Sequence, residues 1–391
     1  MLRISRIIRE VLSGASVRPL GHIPLPGPVV IWNLTRRCNL SCLHCYSSSK
    51  DVRYRGEIDA AAAISVVDDL ASMPVTAVVL SGGEPLLRDD VIEIARHSVA
   101  RGIHTSLSTN GALIRPEHAA ALRDAGIAYV GISLDGKEAT HDVFRGRKGA
   151  YRDSLSGLRL CRDSGLMVGI RTTLTRVTRD EIPYICDLAE REGVERLYFS
   201  HMVYAGRGKL HESADLSLDG TRGALEVLIE RALTYHASRR PMEIVTGNND
   251  ADGVYLDMRL RALFPDRAFA VRQALVRWGG NSSGRLIANI DSVGNVHPDP
   301  FWSHYSLGNV RRRPFSEIWT DLSDPLLRKL NNAPRPLGGR CGRCPRLDIC
   351  NGNTRVRAEW VTGDPWASDP ACYLTDQELS ETEEVLCRLR A

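Results

Sequence analysis

From residue 28 to residue 201 the chain alternates between short β-branched runs and segments of helical periodicity. This alternation is typical of a parallel α/β sheet or barrel, whose strands are buried on both faces under crossover helices. The predicted strands are 29–32, 77–81, 104–108, 129–134, 168–174 and 197–200, and the predicted helices between them are 60–71, 91–101, 117–125, 151–164 and 180–192. Six strands are fewer than the eight of a closed TIM barrel. The sequence therefore predicts an open, partial (β/α)6 barrel.

Composition limits what the rest of the chain can be. The 391 residues suffice for such a barrel with an extension, and the net charge of +4 gives no support for nucleic-acid binding. No apolar run approaches the ~20 residues that a transmembrane helix needs. The N-terminus is too charged for a secretory signal, and its helical periodicity favours an amphipathic helix packed on the protein over one that contacts a membrane. We expect a cytoplasmic protein.

We divide the chain into four predicted parts. They are an N-terminal helix and lead-in (1–27), the partial barrel (28–209), a helical bridging region (210–285) and a C-terminal auxiliary domain (286–391). A polar loop at 245–253 interrupts the predicted helices of the bridging region. In the auxiliary domain we predict a hairpin over 286–310 with a turn at 291–295, followed by a short helix at 316–322.

Three cysteines follow the first predicted strand, namely Cys38, Cys42 and Cys45. In a reducing compartment such a cluster predicts metal ligands rather than disulfides. Thiolates suit iron–sulfur clusters, zinc or copper(I). A [4Fe–4S] cluster takes four ligands, so three thiols would leave one iron open for chemistry. The alternative is a zinc site with His44 as the fourth ligand.

Polar groups and glycines follow the other predicted strands, and ligands of such sheets gather at the carboxyl ends of the strands. One shared pocket is therefore expected. Its candidate residues are Gly82, Gly83, Glu84, Ser108, Asn110, Ser133, Asp135, Arg171 and His201. The glycines allow close backbone approach to a ligand. Glu84 can accept a hydrogen bond from an ammonium group, and Ser133 and Asp135 can bind a ribose or an amino-acid carboxylate.

A second group of cysteines lies near the C-terminus. Cys341, Cys344, Cys350 and Cys372 supply the four thiols of a closed coordination sphere, which fits either zinc or a second iron–sulfur cluster. The three isolated cysteines are different. Two of them, at 161 and 186, fall in apolar helical patterns and are predicted to be buried as small hydrophobic side chains, and the third lies at 387.

The cysteine spacing x3 then x2, followed by Ser-Gly-Gly-Glu-Pro at 81–85, Ser-Thr-Asn-Gly at 108–111 and Ser-Leu-Asp-Gly at 133–136, resembles the radical S-adenosylmethionine (SAM) superfamily. The resemblance implies a [4Fe–4S] cluster whose open iron is chelated by SAM. Reductive cleavage of SAM then gives a 5′-deoxyadenosyl radical, which abstracts a hydrogen atom from the substrate. It also implies that Tyr46 covers the adenine, and we expect an electron donor of the flavodoxin or ferredoxin type.

The C-terminal cysteines resemble the auxiliary-cluster extension called SPASM or, in its shorter form, twitch. The segments Gly-Asn-Val at 294–296 and 308–310 match that extension as well. This implies an auxiliary [4Fe–4S] cluster bound by Cys341, Cys344, Cys350 and Cys372. One departure is His297, which stands where SPASM proteins carry a further cysteine. We therefore expect one auxiliary cluster and not two.

Short motifs along nearly the whole chain resemble the NirJ family of radical SAM proteins in heme d1 biosynthesis. They lie at 33–38, 201–208, 246–255, 278–281 and 363–366. The resemblance implies removal of two propionate side chains from 12,18-didecarboxysiroheme. Such an anionic tetrapyrrole needs Arg or His at its rim, and His201, Tyr204 and Arg207 are the substrate-binding candidates.

Three other functions stay open on the sequence. One is another tetrapyrrole-modifying enzyme, of the alternative heme pathway. The second is a SPASM-type peptide maturase, although the roughly 27 residues before the first strand are too few for the peptide-binding domain common in that class. The third is a non-catalytic electron carrier, which would not need the predicted ligand-binding residues that follow the strands.

Overall fold

The computed structural model describes residues 1–13 and 27–379, so Cys387 lies outside the described residues. The strands are β1 (Leu2–Arg3), β2 (Val29–Thr35), β3 (Ala77–Gly82), β4 (Thr105–Thr109), β5 (Tyr129–Ser133), β6 (Val168–Leu174), β7 (Arg196–His201), β8 (Glu243–Gly247), β9 (Ile287–Ile290), β10 (Asn295–His297) and β11 (Gly308–Asn309). The α-helices are α1 (Ile4–Leu12), α2 (Ala60–Ala71), α3 (Val91–Ala100), α4 (Pro116–Asp124), α5 (Glu138–Arg145), α6 (Ala150–Asp163), α7 (Ile182–Arg191), α8 (Leu218–Ala237), α9 (Ala251–Leu263), α10 (Ala268–Trp278), α11 (Phe315–Thr320), α12 (Pro325–Asn331), α13 (Gly339–Gly342), α14 (Leu347–Cys350) and α15 (Arg355–Thr362). Short 3₁₀ helices lie at Pro85–Leu87, Arg179–Glu181, Gly206–Ala214 and Pro265–Arg267.

The strands form one sheet in the order β1-β8-β7-β6-β5-β4-β3-β2-β9-β10-β11. Neighbours from β9 through β2 to β8 are parallel, whereas β1, β10 and β11 pair antiparallel. All of the predicted strands are present, as β2 to β7. In the part of the chain that the structure describes the sheet is open, with β1 and β11 at its edges, which confirms the predicted partial barrel.

The two faces of the parallel sheet differ sharply. One face, which we call the outer face, is apolar and buried; its side chains include Val30, Trp32, Leu80, Val130, Ile170 and Phe199, all 0% exposed. Removing each from water contributes about 1.5–3 kcal/mol to folding. The opposite, inner face carries polar side chains, and those that are partly exposed include Ser108, Tyr129, Ser133, Arg171, Arg196 and Tyr198. The prediction of strands buried on both faces is therefore wrong, because only the outer face is fully buried.

Two elements differ from the sequence prediction. The predicted polar loop 245–253 overlaps β8, which is buried and pairs with β7 and β1; the loop itself begins at Asn248, with φ of 68°. Backbone hydrogen bonds to β7 and β1 stabilise this short strand, although its sequence alone does not predict one.

Helix α5 was not predicted. Its eight residues are too few for a clear hydrophobic period, and it ends at Gly146 in the left-handed region.

The C-terminal hairpin forms as predicted. β9 and β10 pair antiparallel around a turn in which Asp291 Oδ1 accepts hydrogen bonds from the amides of Val293 at 3.0 Å and Asn295 at 2.8 Å. β9 also pairs with β2, so the hairpin extends the barrel sheet. Because β8 and β9 join that same sheet, the four-part division of the chain stays a prediction. None of the described helices is long and apolar enough to cross a membrane.

The N-terminal segment packs on the barrel, as expected from its periodicity. α1 buries Ile4, Ile8 and Val11 and lies against β8, α8 and α10. Glu243 on β8 accepts from Arg3 at 2.8 Å and Arg9 at 3.1 Å. Burial by itself raises the pKa of Glu243, but the hydrogen bonds and charges of the two arginines outweigh it and lower that pKa below the ordinary 4.5.

We expect Glu243→Gln to lower the free energy of unfolding by about 1 kcal/mol at neutral pH, since both arginines are partly solvated and their charges are screened. A carboxyl whose folded pKa is depressed stabilises the fold above its unfolded pKa and loses that contribution as pH falls through the folded pKa. The difference between variant and wild type should therefore shrink below pH 4.5. Urea unfolding at several pH values measures it, with Asp124→Asn in an exposed pair as the control. A difference independent of pH would contradict this assignment.

Candidate functional site

The cysteine loop (residues 38–45) follows β2 at the edge of the sheet where the parallel strands end. Cys38 and Cys42 are buried and Cys45 is half-buried. Cys38 Sγ accepts from the amide of Leu40, and Cys45 Sγ from that of Ser49, both at 3.4 Å. Burial raises the pKa of Cys38 to about 12, and the charges of Glu84, Cys42 and Cys45 add to the rise. The loop therefore brings three thiols, two of them buried, to the end of β2.

Arg207 holds the cysteine loop from the side of β7. Its Nε donates to the carbonyl of Cys42 at 2.8 Å, its Nη1 to that of Ser49 at 2.6 Å, and its own amide to that of Cys45 at 2.9 Å. Tyr204 donates to Asp215 Oδ2 at 2.9 Å. Both residues were predicted to bind substrate. The structure instead gives Arg207 main-chain partners in the loop and Tyr204 a carboxylate partner outside it.

Helix α5 holds the other side of the loop. The amides of Ser41 and Leu43 donate to the carbonyls of Arg145 and Phe144 at the end of α5, both at 3.2 Å. The ring of His44 stacks on Phe144 with a centroid distance of 4.4 Å. The end of α5 therefore contacts the loop at several points between residues 41 and 44, and it is an element that the sequence analysis missed.

The two glycines after β3 are required by a close approach of main chains. A Cβ on Gly82, whose φ is +144°, would lie 2.4 Å from the carbonyl oxygen of Thr35, and one on Gly83 would lie 2.1 Å from that of Arg37. The segment at and just after the end of β2 is thus one neighbour that requires glycine at both positions, and the expected approach of a ligand to these glycines stays a prediction. This packing sets the position from which the cysteine loop starts.

Glu84 is fully buried and joins the loops after β3 and β4. Its carboxylate accepts from Thr109 Oγ1 at 2.7 Å, the Asn110 amide at 2.8 Å and the Leu86 amide at 3.2 Å. Burial raises the pKa of Glu84 to about 7, against the opposing effect of these hydrogen bonds. The predicted contact of Glu84 with an ammonium group stays a prediction, and in this arrangement the carboxylate serves the protein's own donors.

Asn110 and Tyr46 connect the cysteine loop to the inner face. Asn110 Nδ2 donates to Asn39 Oδ1 at 2.8 Å and lies 3.9 Å from Cys38 Sγ. Tyr46 donates to Asn33 Oδ1 on β2 at 2.9 Å, and its ring meets Phe301 edge-on at 5.5 Å. The predicted residues Tyr46 and Asn110 thus surround the loop together with Asn33, the first residue of the motif at 33–38, and with Phe301, which the sequence did not single out.

Asp135 does not reach the opening of the barrel. It is 0% exposed, and its Oδ2 lies 2.6 Å from Arg145 Nε. The same guanidinium donates through Nη1 to Cys42 Sγ at 3.6 Å. Ser108 and Ser133, by contrast, lie partly exposed on the inner face as predicted pocket residues should. Asp135 therefore belongs to the cysteine loop's surroundings rather than to a surface that a ribose could contact directly.

Two arginines lie over tyrosines on the inner face. The guanidinium carbon of Arg171 is 4.9 Å from the ring centre of Tyr198, and that of Arg196 is 4.8 Å from that of Tyr129. Among the described residues neither arginine forms a salt bridge. Sequence analysis singled out Arg171 alone, although the alternation of polar and apolar residues along β5 and β7 could have revealed the other three.

Glycines on the neighbouring strands make room for these side chains. A Cβ on Gly131 would lie 2.8 Å from Arg171 Cδ, and one on Gly169 would lie 2.1 Å from Tyr129 Oη. The side chains consequently lie flat across the sheet instead of standing up from it. The inner surface therefore carries aromatic rings and two positive charges.

His201 lies on the other side of the sheet. By the register of β7 it shares the outer face with Phe199, and its Nε2 lies 2.9 Å from Asp252 Oδ2 on α9. It lines a cavity of about 190 Å³ together with Asp215 and Arg357. The predicted substrate candidates His201, Tyr204 and Arg207 are therefore not gathered on the inner face.

The four C-terminal cysteines form a second group, with Cys341 in α13 and Cys350 at the end of α14. Burial raises the pKa of Cys350 well above its ordinary value, and the charges of Asp250 and of the three other cysteines, Cys372, Cys341 and Cys344, act in the same direction. Arg340 Nη1 donates to Cys372 Sγ at 3.3 Å. His297 is buried in the hairpin, with Nδ1 2.7 Å from the carbonyl of Tyr305.

Both groups fit iron–sulfur clusters by the chemistry of their donors, since each offers thiols in a buried or half-buried setting and every described cysteine is free. Among residues 1–13 and 27–379 no three His, Cys, Asp or Glu side chains converge tightly enough for one metal ion. The fit therefore rests on the kind and number of donors, three thiols in one group and four in the other. The two isolated cysteines, Cys161 and Cys186, are 0% exposed in the core, as predicted.

Comparison with known proteins gives consistent results. The model of the radical SAM superfamily matches residues 32–189, and that of an iron–sulfur cluster-binding domain, SPASM, matches residues 283–345. The chain is 49% identical to the pre-heme d1 synthase of Dinoroseobacter shibae over 92% of this chain and 89% of that protein. It is 48% identical to the Fe-coproporphyrin III synthase of Methanosarcina barkeri over 91% and 90%. Among solved structures, native anSMEcpe with bound AdoMet has the same fold, with a TM-score of 0.66, 19% identity and coverage of 93% of this chain and 98% of that one.

We expect Gly83→Ala to lower the free energy of unfolding by about 1–3 kcal/mol, because its Cβ would overlap the main chain of Arg37 and the end of β2 would have to move. Gly223→Ala in α8 is the matched control, since its Cβ would meet only the end of the Arg179 side chain at 3.4 Å. Alanine there should stabilise the helix by up to about 1 kcal/mol. Denaturant unfolding of both variants provides the measurement. Equal effects would show that the approach at Gly83 carries no strain.

Proposed function

The chain belongs to the radical SAM superfamily and carries a SPASM domain, and on this premise we propose that it removes two propionate side chains from 12,18-didecarboxysiroheme in heme d1 biosynthesis. One observation on the inner face supports a tetrapyrrole substrate. Arg171 and Arg196 lie there over tyrosine rings without a carboxylate partner in the described chain. Buried or half-buried cations need counter-charges. A flat, apolar ring system with carboxylates at its rim satisfies both the rings and the cations.

Superfamily members of this type use a SAM-binding [4Fe–4S] cluster and an auxiliary cluster. We assign the first to Cys38, Cys42 and Cys45 and the second to Cys341, Cys344, Cys350 and Cys372. When bound and reduced, the first cluster supplies the electron that cleaves SAM to methionine and the 5′-deoxyadenosyl radical. An external carrier of the flavodoxin or ferredoxin type is the proposed source of that electron.

The chain's own residues have five tasks in this proposal. Arg207 and the end of α5 fix the cysteine loop through its main-chain groups. Tyr46, beside the third cysteine, lies against the adenine of SAM. Ser108 and Ser133 offer hydroxyls on the inner face toward the bound cofactor, and Gly82, Gly83, Glu84 and Asn110 hold the neighbouring loops in place. Arg171, in the middle of β6, orients a carboxylate of SAM, and Arg196, at the start of β7 and farther from the cysteine loop, orients a carboxylate at the far rim of the substrate.

A second candidate function is the formation of Fe-coproporphyrin III, favoured by one specific observation. The relatives named pre-heme d1 synthase and Fe-coproporphyrin III synthase are 49% and 48% identical to the chain over similar lengths, so identity does not separate them. Both names concern tetrapyrroles, and the inner face suits either substrate class. A peptide maturase has less support, because a peptide backbone would not supply the several carboxylates that the two arginines require.

The product assay tests the proposal directly. The reconstituted protein, SAM, a reductant and 12,18-didecarboxysiroheme are incubated without oxygen, and the tetrapyrrole is identified by mass. Loss of two propionate groups is the expected result, with 5′-deoxyadenosine formed alongside and neither product formed by Cys38→Ala. Conversion to Fe-coproporphyrin III would establish the second function instead. SAM cleavage that leaves the tetrapyrrole intact would refute both.

We expect Arg196→Gln to lower kcat/KM for the tetrapyrrole roughly 10- to 100-fold, which corresponds to the loss of one charged hydrogen bond. SAM cleavage measured without substrate should stay unchanged, since this arginine is assigned to substrate alone. Arg196→Lys keeps the charge and should restore part of the loss. The matched control is Arg55→Gln at an exposed position. An equal loss of both activities in Arg196→Gln would place the defect in the fold and not in recognition.

A further inference from the structure

The buried side chain of Arg145 contacts a thiol of the cysteine loop, that of Cys42. Arg145 Nη1 donates to Cys42 Sγ at 3.6 Å, while its Nε and Nη2 both lie 2.6 Å from Asp135 Oδ2. Asp135 and Arg145 are 0% and 7% exposed. The carboxylate, the guanidinium and the thiol thus form a continuous charged chain that water does not screen.

The surrounding protein fixes this chain at both ends. Asp135 Oδ1 accepts from the amide of Thr173 on β6 at 2.9 Å, so the carboxylate is tied to the sheet. The main-chain carbonyl of Arg145 accepts from the amide of Ser41 at 3.2 Å, so the backbone that carries the guanidinium is tied to the cysteine loop. Gly146, the residue after α5, approaches the same loop so closely that a Cβ would lie 2.9 Å from the carbonyl oxygen of Ser41. Arg145 therefore cannot drift away from Cys42 without moving α5.

A hydrogen bond or a positive charge at a cluster thiolate stabilises the reduced cluster, which carries one more negative charge, and so raises its reduction potential. Inside a protein such charges act at low dielectric and with little screening by salt. A nearby carboxylate has the opposite effect. Arg145 and Asp135 therefore act on a cluster at Cys42 in opposite directions, and the carboxylate, which lies beyond the guanidinium, offsets part of the effect of Arg145.

We propose that Arg145 and Asp135 are positioning residues that set the reduction potential of the SAM-binding cluster through Cys42. Arg145 supplies the hydrogen bond that fixes the thiolate and a positive charge that raises the potential, and Asp135 offsets part of that charge. This assigns Asp135 a role through Arg145 in place of the direct contact with SAM that its sequence motif suggested. The inference rests on the proposed assignment of Cys42 as a cluster ligand, and it requires nothing of the substrate.

The auxiliary group contains a similar contact with different surroundings. Arg340 donates to Cys372 Sγ at 3.3 Å and pairs with Asp376, whose side chain is 86% exposed. Solvent and salt screen that pair, whereas they do not reach Asp135. Arg340 is therefore the matched control, since it makes the same kind of contact with a thiol of the other group.

The test is a redox titration of the reconstituted protein with both clusters, followed by electron paramagnetic resonance. The SAM-binding cluster is recognised as the signal that changes when SAM is added. Arg145→Met should move its midpoint potential downward, because the donor and the positive charge are gone. Asp135→Asn should move it upward, because the guanidinium is left without its counter-charge. Arg340→Met should leave this signal in place and shift only the other one.

Opposite shifts support the proposal, since general loosening of the loop would not separate the two variants in sign. Shifts in the same direction, or no shift in either variant, would overturn it. If Arg145→Met does not bind the cluster, the comparison is made between Arg145→Lys and Asp135→Asn. The midpoint potential of Asp135→Asn must then be higher than that of Arg145→Lys, and any other order refutes the proposal. Retention of the SAM-responsive signal in Cys42→Ala would refute the underlying ligand assignment, and none of these outcomes depends on whether a tetrapyrrole is the substrate.

Discussion

The fold and the position of its polar inner face depend on the burial of the other face of a parallel sheet. Side chains such as Trp32, Leu80 and Phe199 are removed completely from water on the outer face, and this burial stabilises the fold without any polar partner. Because successive side chains of a strand point to opposite faces, the same packing turns the polar residues inward. The inner face, where Arg171 and Arg196 lie over tyrosines, is therefore a geometric consequence of how the core is formed.

The cysteine loop is placed by main-chain contacts more than by its own sequence. Gly82 and Gly83 let β3 approach the end of β2, Arg207 binds carbonyls of the loop, and the end of α5 accepts from its amides. These contacts come from three segments distant in sequence. A loop fixed in this way can hold thiols in one orientation while a bound cluster changes its charge, since rigid surroundings cost no reorganisation.

The two ion pairs near the thiols differ in how strongly solvent screens them. Asp135 and Arg145 lie inside the protein beside Cys42, whereas Arg340 and Asp376 lie at its surface beside Cys372. Burial makes the first pair strong and insensitive to salt, and exposure makes the second weak. The two thiol groups therefore differ in their electrostatic surroundings, with an unscreened ion pair beside Cys42 and a screened one beside Cys372.

The sequence by itself determined the parallel strands β2 to β7, the open barrel, the two cysteine groups and the hairpin, because hydrophobic period and cysteine spacing are local signals. It missed β8, which depends on β1 and β7 for its hydrogen bonds, and α5, whose eight residues are too few for a clear hydrophobic period. Only the tertiary structure decided what the polar residues do. In the structure His201 lies on the outer face, Arg207 binds the main chain of the cysteine loop, and Asp135 pairs with Arg145. The sequence does not predict these contacts, because residues that are far apart in the chain form them without any periodic pattern.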